Sequence, residues 1–455
     1  MMRFHTARTL TVCASACLWL LGQAHAQTPA PAPKPAPNPA PAKPAAAKPA
    51  AAKPAPATAA AAPAATQGQT VKIAFIDPLS GPFANVGQNQ LKSWQFIAED
   101  FNKKNAAGVK FEFVSFDNKG SPQESLNSLK AAIDQGIRYV VQGNGSGAAL
   151  AISDAVTKHN ERNPGKEVVY LNYAAVDPDL TNSRCSFWHF RLDADTSMKM
   201  EGLTSFMKDQ PDVKKVYVIG QNYSHGVQVE KYFREGIARK RPDVQIVGSD
   251  LHPIGQVKDF APYVAKIKAS GADSVVTGNW GQDLTLLVKA AKDAGLNANL
   301  YTYYAVTSGV PTAMAAGVGG KVRVVAIGHN ALPGTAARLQ DAYKAKFNDD
   351  WYTLQTYTGL ALLSAGMAKA KTTEPVAVAR AMSGIRFQGL NGELEMRKTD
   401  HQLQAPLYLG IWAKQGSPGV KYDAENTGYG FRSEAVWDAY VASQPTSCQM
   451  ARPGN

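Results

Sequence analysis

Apolar and polar positions follow two different periods along the chain from residue 71 onward. Short apolar runs rich in β-branched and aromatic residues predict buried strands, and longer stretches with apolar residues three or four positions apart predict helices. Strands and helices that alternate in this way predict a doubly wound parallel sheet of the α/β class. In the first half of the region the predicted strands are 71–76, 111–116, 139–142 and 168–171, and the predicted helices are 87–102, 125–135 and 148–160.

The same alternation restarts near residue 193 and predicts a second lobe with a sheet of its own. Beyond about residue 322 a further strand, a helix at 355–370 and a strand at 407–412 have no lobe assigned by the pattern. We expect the chain to cross between the lobes more than once, which makes a hinge. The predicted helices of the second lobe are 193–207, 227–239, 260–269 and 284–294, and its strands are 215–219, 244–247, 273–277 and one near residue 300.

These patterns give a fold prediction with explicit boundaries. We predict two doubly wound, Rossmann-like α/β lobes joined by a multi-strand hinge. The first lobe comprises residues 70–192 and about 323–385, the second comprises 193–322 and about 386–446, and residues 447–455 form a C-terminal tail.

The residues before the folded region are typical of an export signal followed by a spacer. A basic start, an apolar stretch over 10–22 and small residues around Ala26 predict a cleavable signal peptide at 1–26, and therefore a mature protein in the periplasm. Residues 27–69 are almost entirely Ala, Pro and Lys, which predicts a disordered linker because each proline removes a backbone donor. Two interpretations stay open, a plain solvated leader and a cationic spacer near anionic envelope polymers.

Charge and hydropathy argue against two kinds of partner. The formal net charge is +12, but the first 69 residues carry six basic residues and no acid, which leaves about +6 for the body. That excess forms no Lys/Arg-rich run, so we expect no nucleic-acid partner. No stretch after the signal reaches the roughly 18 apolar residues of a membrane span, so we expect no stable membrane insertion.

Cysteine use fits an exported protein. Removal of the signal peptide takes away Cys13 and Cys17 and leaves Cys185 and Cys448 in an oxidising compartment. We predict a disulfide between these two residues, which would hold the C-terminal tail near the middle of the chain. Two unpaired buried thiols are the alternative.

No group of residues predicts catalysis. The turn Gly143-Asn-Gly145-Ser-Gly147 follows a strand, but it has Ala148 at the third glycine of a dinucleotide fingerprint and Asn144 at the first glycine of a nucleophile elbow. The histidines that remain after processing show no metal-ligand spacing. We therefore predict a protein that is not an enzyme and has no metal or other cofactor, with a secreted hydrolase kept as an alternative.

The same turn has the features of an anion site. Gly145 allows a close backbone approach, Ser146 brings a hydroxyl donor, and the helix that follows presents free N–H groups and the positive end of its dipole. A carboxylate fits these donors. The alternative is that Ser146 only caps its own helix.

Several stretches of the body share a pattern with one family. They are Ile76-Asp-Pro-Leu-Ser-Gly-Pro-Phe-Ala-Asn-Val-Gly87, the Ser146 turn, Asp177-Pro-Asp-Leu-Thr181, Asp259-Phe260 with Lys266-Ile-Lys268, and Asp283 ahead of Gly295-Leu296. Together, over about residues 71–412, they resemble the type I periplasmic binding proteins of ABC importers, in particular the leucine/isoleucine/valine-binding branch.

The resemblance implies a ligand pocket between the lobes and a role for each matching residue. It implies that Ser146 donates to the carboxylate of an amino acid, that Ala175 and Val176 add backbone contacts, and that Asp283 takes the α-ammonium. A simple carboxylate at a helix start is the alternative for Asp283. The resemblance also implies a monomer that delivers its ligand to a permease and its ATPase subunits.

Departures from the family pattern leave the ligand open. Val176 replaces a usual threonine, His225 replaces a usual tyrosine before glycine, and Tyr173 replaces a usual small residue or proline. With Phe83 and Trp280 nearby, these changes favour an aromatic or elongated ligand, although Trp280 is also typical of a core or rim aromatic. An amino acid with a branched, apolar or aromatic side chain is the first prediction. An aromatic acid, an amide or urea for import is the alternative, as is a sensor that presents its ligand to a receptor.

Overall fold

A computed structural model describes residues 66–329 and 331–454. The predicted signal peptide, 1–26, lies outside the described residues, as does the predicted linker as far as residue 65. The last residues of that predicted linker pack on the folded body, because Thr66 Oγ1 donates to the carbonyl of Ala107 at 2.6 Å and the amide of Gly68 donates to the carbonyl of Gly108 at 2.8 Å. The described body therefore begins a few residues before the predicted boundary at 69.

The first lobe is built on a five-stranded sheet in which every pair of neighbours is parallel. Its strand order is β2-β1-β3-β4-β5. The central strands are apolar on both faces, as expected for a parallel sheet covered by helices on both sides. The elements are β1 (Thr70–Asp77), α1 (Ala84–Phe101), β2 (Lys110–Asp117), α2 (Pro122–Asp134), β3 (Tyr139–Gln142), α3 (Ser146–Arg162), β4 (Val169–Asn172) and β5 (His189–Arg191).

The chain then crosses into a second lobe with its own sheet. Helix α4 starts here because Asp195 caps it, its carboxylate accepting from the amide of Met198 at 3.0 Å. The elements are α4 (Thr196–Lys208), β6 (Lys215–Gln221), α5 (Ser224–Lys240), β7 (Gln245–His252), α6 (Ala261–Ala269), β8 (Ser274–Thr277), α7 (Gly281–Asp293), β9 (Asn299–Thr302), α8 (Val310–Met314) and β10 (Val322–Ala326).

After β10 the chain returns to the first lobe, where buried side chains of the next helices and strands join the core of the five-stranded sheet. The chain there forms three helices and a small antiparallel sheet. The elements are α9 (Thr335–Phe347), α10 (Gln355–Ala370), α11 (Pro375–Met382), β11 (Arg386–Gly389), β12 (Gly392–Met396) and β13 (Leu403–Gln404).

Two last strands, β14 (Leu407–Lys414) and β15 (Tyr429–Trp437), complete the second sheet, whose order is β15-β14-β10-β9-β8-β6-β7. Both pair antiparallel, β14 with β10 and β15 with β14. The predicted lobe boundaries near residues 323 and 386 differ from the division of the chain between the two sheets. β10 belongs to the second sheet, and β11–β13 pack on the core of the first. Sequence pattern could not show this, because a buried strand carries the same signal in either sheet.

The crossing segment between β5 and α4 is held by a buried arginine. Arg191 donates through Nε to Gln402 Oε1 at 2.5 Å and through Nη2 to Asp195 Oδ2 at 2.9 Å, and its amide donates to the carbonyl of His401 at 3.0 Å. The guanidinium is fully buried, so these partners compensate a charge that would otherwise be costly to remove from water. The hinge region is therefore joined at this point to the β13 segment.

The predicted disulfide between Cys185 and Cys448 is confirmed. The Cα atoms of the two residues are 5.7 Å apart and the bond closes a sequence separation of 263. The C-terminal tail is thus tied to the first lobe. In the stretches 66–329 and 331–454, no helix is both long and apolar enough to cross a membrane.

Candidate functional site

A cleft of about 730 Å³, counted out to its open mouth, lies between the two lobes. About half of its lining residues lie in the turns that directly follow the carboxyl ends of β3, β4, β8 and β9, where open α/β sheets bind ligands. The residues that line it are Val86, Gln90, Gly143–Ser146, Ala174–Val176, Asp193, Lys199, Tyr223, His225, Trp280, Tyr303, Tyr304, Val306, Thr307, Ala326–Gly328 and Tyr352–Gln355.

The start of α3 presents free hydrogen-bond donors to the cleft. Gly145, at φ 86°, is the residue that precedes the helix, and Ser146 is its first helical residue. Among the described residues, no group accepts from the Ser146 hydroxyl or from the amides of Ser146, Gly147 and Ala148. Ser146 therefore does not cap its own helix, and these donors are available to an anion.

A buried carboxylate holds this turn from behind. Asp77, at the end of β1, accepts from the amides of Gly143 at 3.0 Å and Asn144 at 2.8 Å, and from the Tyr173 hydroxyl at 2.5 Å. Burial raises the pKa of Asp77 to about 7, and the Tyr173 hydroxyl and the two amides offset part of that rise. The same Tyr173 hydroxyl oxygen lies 2.9 Å from Gln90 Oε1. Tyr173 does not line the cleft. It instead supports the Gly143–Ser146 turn, the anion turn.

The second turn, after β4, combines occupied carbonyls with a free amide. Asn172 closes the turn, because its Oδ1 accepts from the amide of Ala175 at 2.8 Å and its Nδ2 donates to the carbonyl of Ala175 at 2.8 Å. The carbonyl of Val176 accepts from Thr196 Oγ1 at 2.9 Å. In the described part of the chain the amide of Val176 has no acceptor, so this residue of the cleft lining has a free donor.

Aromatic side chains make up most of the opposite wall. Trp280 Nε1 donates to the Tyr223 hydroxyl at 2.9 Å, and the Tyr304 hydroxyl donates to the carbonyl of Ala174 at 3.3 Å, from one lobe to the other. Burial raises the pKa values of Tyr223 and Tyr304, so both phenols are neutral donors or acceptors. A solute in the cleft therefore contacts ring faces and neutral hydroxyls on this side.

His225 lines the cleft as a neutral ring. Its Nδ1 lies 3.0 Å from Thr196 Oγ1 and its Nε2 lies 3.2 Å from the carbonyl oxygen of Gly278. Burial lowers the pKa of His225 to about 4. The side chain is therefore uncharged at neutral pH and has its polar atoms engaged with the protein.

Asp283, the predicted acceptor of an ammonium group, lies behind the lining rather than in it. Its Oδ2 accepts from Gln221 Nε2 at 2.7 Å and from the amide of Gly255 at 2.8 Å, and the residue is fully buried. Its role toward a ligand stays a prediction. Of the other predicted residues, Ser146, Ala175, Val176, His225 and Trp280 meet in the cleft.

Phe83 joins the two lobes across the mouth of the cleft. Its ring stacks on Trp280 with centroids 4.1 Å apart, and a Cβ placed on Gly281 would approach that ring to 2.6 Å. Asn85 Nδ2 also donates to the carbonyl of Ser308 in the other lobe at 2.8 Å. The structure is thus a closed clamp in which Phe83 is a contact between lobes and not a wall of the ligand space.

Asp193 and Lys199 line the cleft although the sequence pattern did not single them out. They form an ion pair, with Lys199 Nζ 2.8 Å from Asp193 Oδ2, and their side chains are 1% and 2% exposed. One sequence signal could have found Lys199, because it stands between Met198 and Met200 in the first turns of α4. A lysine at such a position is rarely buried without a partner.

Comparison with known proteins agrees with this architecture. Residues 70–417 match the family model described as periplasmic binding protein. The chain is 33% identical over 410 residues to Leu/Ile/Val-binding protein homolog 4 of Brucella abortus, covering 85% of this chain and 94% of that one.

Solved structures show the same likeness. The closed leucine-, isoleucine-, valine-, threonine- and alanine-binding protein of Brucella ovis is similar with a TM-score of 0.75 and 31% identity, over 85% of this chain and 100% of that one. A solute-binding protein of an R. palustris ABC transporter, in complex with benzoate, shares the fold with a TM-score of 0.71 at 16% identity, over 84% and 99% of the two chains. The chain therefore belongs to the periplasmic binding protein family.

Proposed function

We propose that this protein captures an amino acid with an apolar or aromatic side chain between its lobes and delivers it to an ABC importer. The observation that carries the proposal is the cluster of unused donors at the start of α3, which faces an otherwise mostly apolar cleft. The Leu/Ile/Val-binding relative at 33% identity supports the same ligand class. ABC solute binding is the function common to the family members matched here.

The donor cluster fits a carboxylate. Ser146 contributes its hydroxyl and the first turn of α3 contributes amide N–H groups, and the helix dipole favours negative charge at this end. The amide of Val176 approaches from the neighbouring turn. A carboxylate bound here needs no cationic side chain in direct contact.

The rest of the cleft fits an apolar or aromatic side chain. Ring faces of Tyr223, Trp280 and Tyr304 and the side chains of Val86 and Ile327 line the remaining space. Micromolar affinity, about −8 kcal/mol, is within reach of a solute whose charged end is satisfied and whose apolar part leaves water.

Closure of the lobes follows from contacts that span the cleft. Phe83 on Trp280 and Tyr304 on the carbonyl of Ala174 exist only when the lobes meet, so a solute that bridges both walls shifts the clamp toward this form. The closed form would dock on a permease that is coupled to ATPase subunits. Delivery to the periplasm would use the signal peptide at 1–26.

Isothermal titration of the purified protein with L-leucine, L-phenylalanine, 4-methylpentanoate, benzoate and urea tests the proposal. At least one of the two amino acids should bind with a dissociation constant near about 1 µM. Ser146→Ala should weaken that binding roughly 10- to 100-fold, the cost of one hydrogen bond to a charged group. Ser121→Ala is the matched control, because Ser121 caps α2 outside the cleft and should affect stability but not affinity.

The aromatic wall favours one second candidate, an aromatic carboxylate. It would use the same donors at Ser146 and stack on the rings of the opposite wall. Binding of benzoate with no binding of either amino acid would select this candidate and reject the amino-acid proposal. Binding of urea alone would reject both, because urea carries no carboxylate.

A further inference from the structure

The cleft contains a buried ion pair, Asp193 with Lys199, that has no role in carboxylate capture at Ser146. Asp193 lies in the crossing segment between β5 and α4, and Lys199 lies on α4. They are the only side chains with a full charge among the described lining residues, since His225 is neutral. The lining by itself therefore has no net charge.

The pair leaves one carboxylate oxygen without a partner. Oδ2 of Asp193 accepts from Lys199 Nζ at 2.8 Å, whereas Oδ1 is buried and accepts no hydrogen bond from any described residue. The side chain is 2% exposed. A buried acceptor without a donor is costly, so a solute that brings an N–H group to Oδ1 removes that cost when it binds.

Lys199 is fixed by its surroundings. Its Nζ lies 5.6 Å from the centre of the Tyr303 ring and 5.2 Å from that of Tyr304, and the side chain is 1% exposed. Both rings place their faces toward the cation. Lys199 therefore holds one oxygen of Asp193 in place and leaves the other free.

We propose that Asp193 Oδ1 accepts a hydrogen bond from the α-ammonium group of the bound amino acid, with Lys199 as the positioning residue. This inference rests on the proposed function, because it assumes that an amino acid occupies the cleft with its carboxylate at Ser146. It assigns the ammonium group to Asp193 in place of Asp283.

Charge balance supports an amino acid over a simple acid at this site. A zwitterion adds no net charge to a lining that is itself neutral, whereas a free acid brings one uncompensated negative charge into the closed cleft. Asp283 also has a buried oxygen, Oδ1, without a partner in the described part of the chain, but Asp283 does not line the cleft, and two N–H donors of the protein bind its Oδ2. Of these two carboxylates, Asp193 is the one whose unpartnered oxygen belongs to a residue that lines the cleft.

The test compares each amino acid with the same molecule lacking its amino group. L-Leucine and 4-methylpentanoate, and L-phenylalanine and 3-phenylpropanoate, are titrated into wild type, Asp193→Asn and Asp283→Asn. Wild type should bind at least one amino acid more than 10-fold more tightly than its desamino partner. Asp193→Asn should weaken that amino acid roughly 10- to 100-fold and leave the desamino acid within about 3-fold, which removes the preference.

Controls separate the site from the fold. Asp134→Asn removes a carboxylate from a surface Lys–Asp pair and should leave all four affinities unchanged. Asp193→Glu keeps the charge beside Lys199 and displaces the oxygens by one methylene. It should weaken the amino acid at least 10-fold and spare the desamino acid, so it tests the site even where Asp193→Asn fails to fold.

The role of Lys199 is tested by measuring how its replacement changes the ratio of amino-acid to desamino-acid affinity. Lys199→Met should lower the ratio of amino-acid to desamino affinity at least 10-fold, and Lys199→Arg should restore much of it, because an arginine again fixes one oxygen of Asp193. A purely structural lysine would change the melting temperature and leave the ratio unchanged.

The outcomes distinguish this inference from the proposed function. An amino-acid preference that survives in Asp193→Asn or is lost only in Asp283→Asn overturns the role of Asp193 and leaves the amino-acid function standing. Absence of amino-acid binding in wild type overturns the proposed function itself, and this inference with it.

Discussion

Two side chains of the cleft, Ser146 and Asp193, each have a polar atom without a hydrogen-bond partner among the described residues. Ser146 keeps its hydroxyl free because Gly145 and not Ser146 precedes the helix, and Asp193 keeps Oδ1 free because Lys199 takes only Oδ2. Three buried histidines matter through their protonation state. Burial lowers the pKa values of His225 and His329 to about 4 and of His401 to about 3, so each is neutral in the folded protein.

The first prediction concerns His401, which stacks on Phe190 with ring centroids 4.2 Å apart. Its folded pKa of about 3 lies below the unfolded value near 6.5, so its contribution to stability is present above pH 6.5 and is lost as the pH falls toward 3. His401→Asn suits the left-handed backbone there, at φ 57°.

Urea unfolding of both proteins between pH 7 and pH 4 checks this expectation. The stability of wild type relative to His401→Asn should fall by about 1.4 kcal/mol per pH unit below 6.5. A difference that stays constant over this range would show that His401 is not held neutral by burial.

Part of the residue-level site could be predicted from the sequence. Ser146 was identifiable because a glycine-rich turn between a strand and a helix has one common geometry. Asp283 has a similar signal, yet it does not line the cleft, and the amide of Gly255 and the side chain of Gln221 both donate to its Oδ2. Such a contact joins residues far apart in sequence, so local pattern does not reveal it. Asp193 carried no local signal at all.

The anion turn is positioned by three strands whose carboxyl ends lie at one edge of the first sheet. Strands β1, β3 and β4 are adjacent and parallel, so Asp77, the Gly143–Ser146 turn and Tyr173 come together at their carboxyl ends. The sequence predicted β1, β3, β4 and α3 with bounds that differ by only a few residues, because each has a clear period. It missed the strands β5, β11–β13 and β15 and the helices α8, α9 and α11. Of these, β5 and β11–β13 are short or exposed on one side and have too few residues to show a period.

The second prediction concerns Tyr173→Phe, which removes a hydroxyl donor from the buried Asp77 carboxylate. We expect a loss of about 1–3 kcal/mol in the free energy of unfolding and weaker binding of L-leucine, because the anion turn loses part of its support. The pKa of Asp77 should rise further, since the Tyr173 hydroxyl lowers it in wild type.

The pH dependence of this variant gives a sharper check. Asp77 has a folded pKa of about 7, above its unfolded value near 4, so its contribution to stability is present at low pH and is lost as the pH rises through 7. The stability gap between wild type and Tyr173→Phe should therefore be larger at pH 8 than at pH 5. A gap of equal size at both values would mean that the hydroxyl does not support the charged carboxylate.

The whole molecule works as a clamp whose two lobes meet through a small number of specific contacts. The alternation of strands and helices was enough to predict two lobes and a hinge crossed more than once. The partition of the chain after residue 322 was harder to predict, because it depends on which core each apolar surface joins. Phe83 was predicted as a pocket wall, and two of the glycines that make room for it, Gly255 and Gly281, belong to the other lobe.

The third prediction concerns Phe83→Ala, which removes the stack on Trp280. The closed form should become less favourable, so the apparent dissociation constant for L-leucine should rise roughly 10-fold and the radius of gyration without ligand should increase in small-angle scattering. Phe347→Ala is the matched control, since Phe347 packs on Tyr343 within the first lobe. Equal affinity in Phe83→Ala and wild type would show that this contact does not hold the clamp closed.

The fourth prediction concerns the disulfide between Cys185 and Cys448. A double replacement by serine should lower the free energy of unfolding by up to about 5 kcal/mol, because the bond closes a loop across a sequence separation of 263. Ligand affinity should stay within about 2-fold, since neither cysteine lines the cleft. Thermal unfolding and titration of the same sample check both statements, and a large loss of affinity would contradict the second.

The most direct test of the central claim is a crystal structure of the wild-type protein with L-leucine. We expect the amino acid in the cleft of the closed clamp, with a carboxylate oxygen within about 3.2 Å of Ser146 Oγ and of at least one amide in the first turn of α3. A carboxylate bound elsewhere in the cleft, or L-leucine bound outside it, would contradict the anion turn as the site that captures the solute.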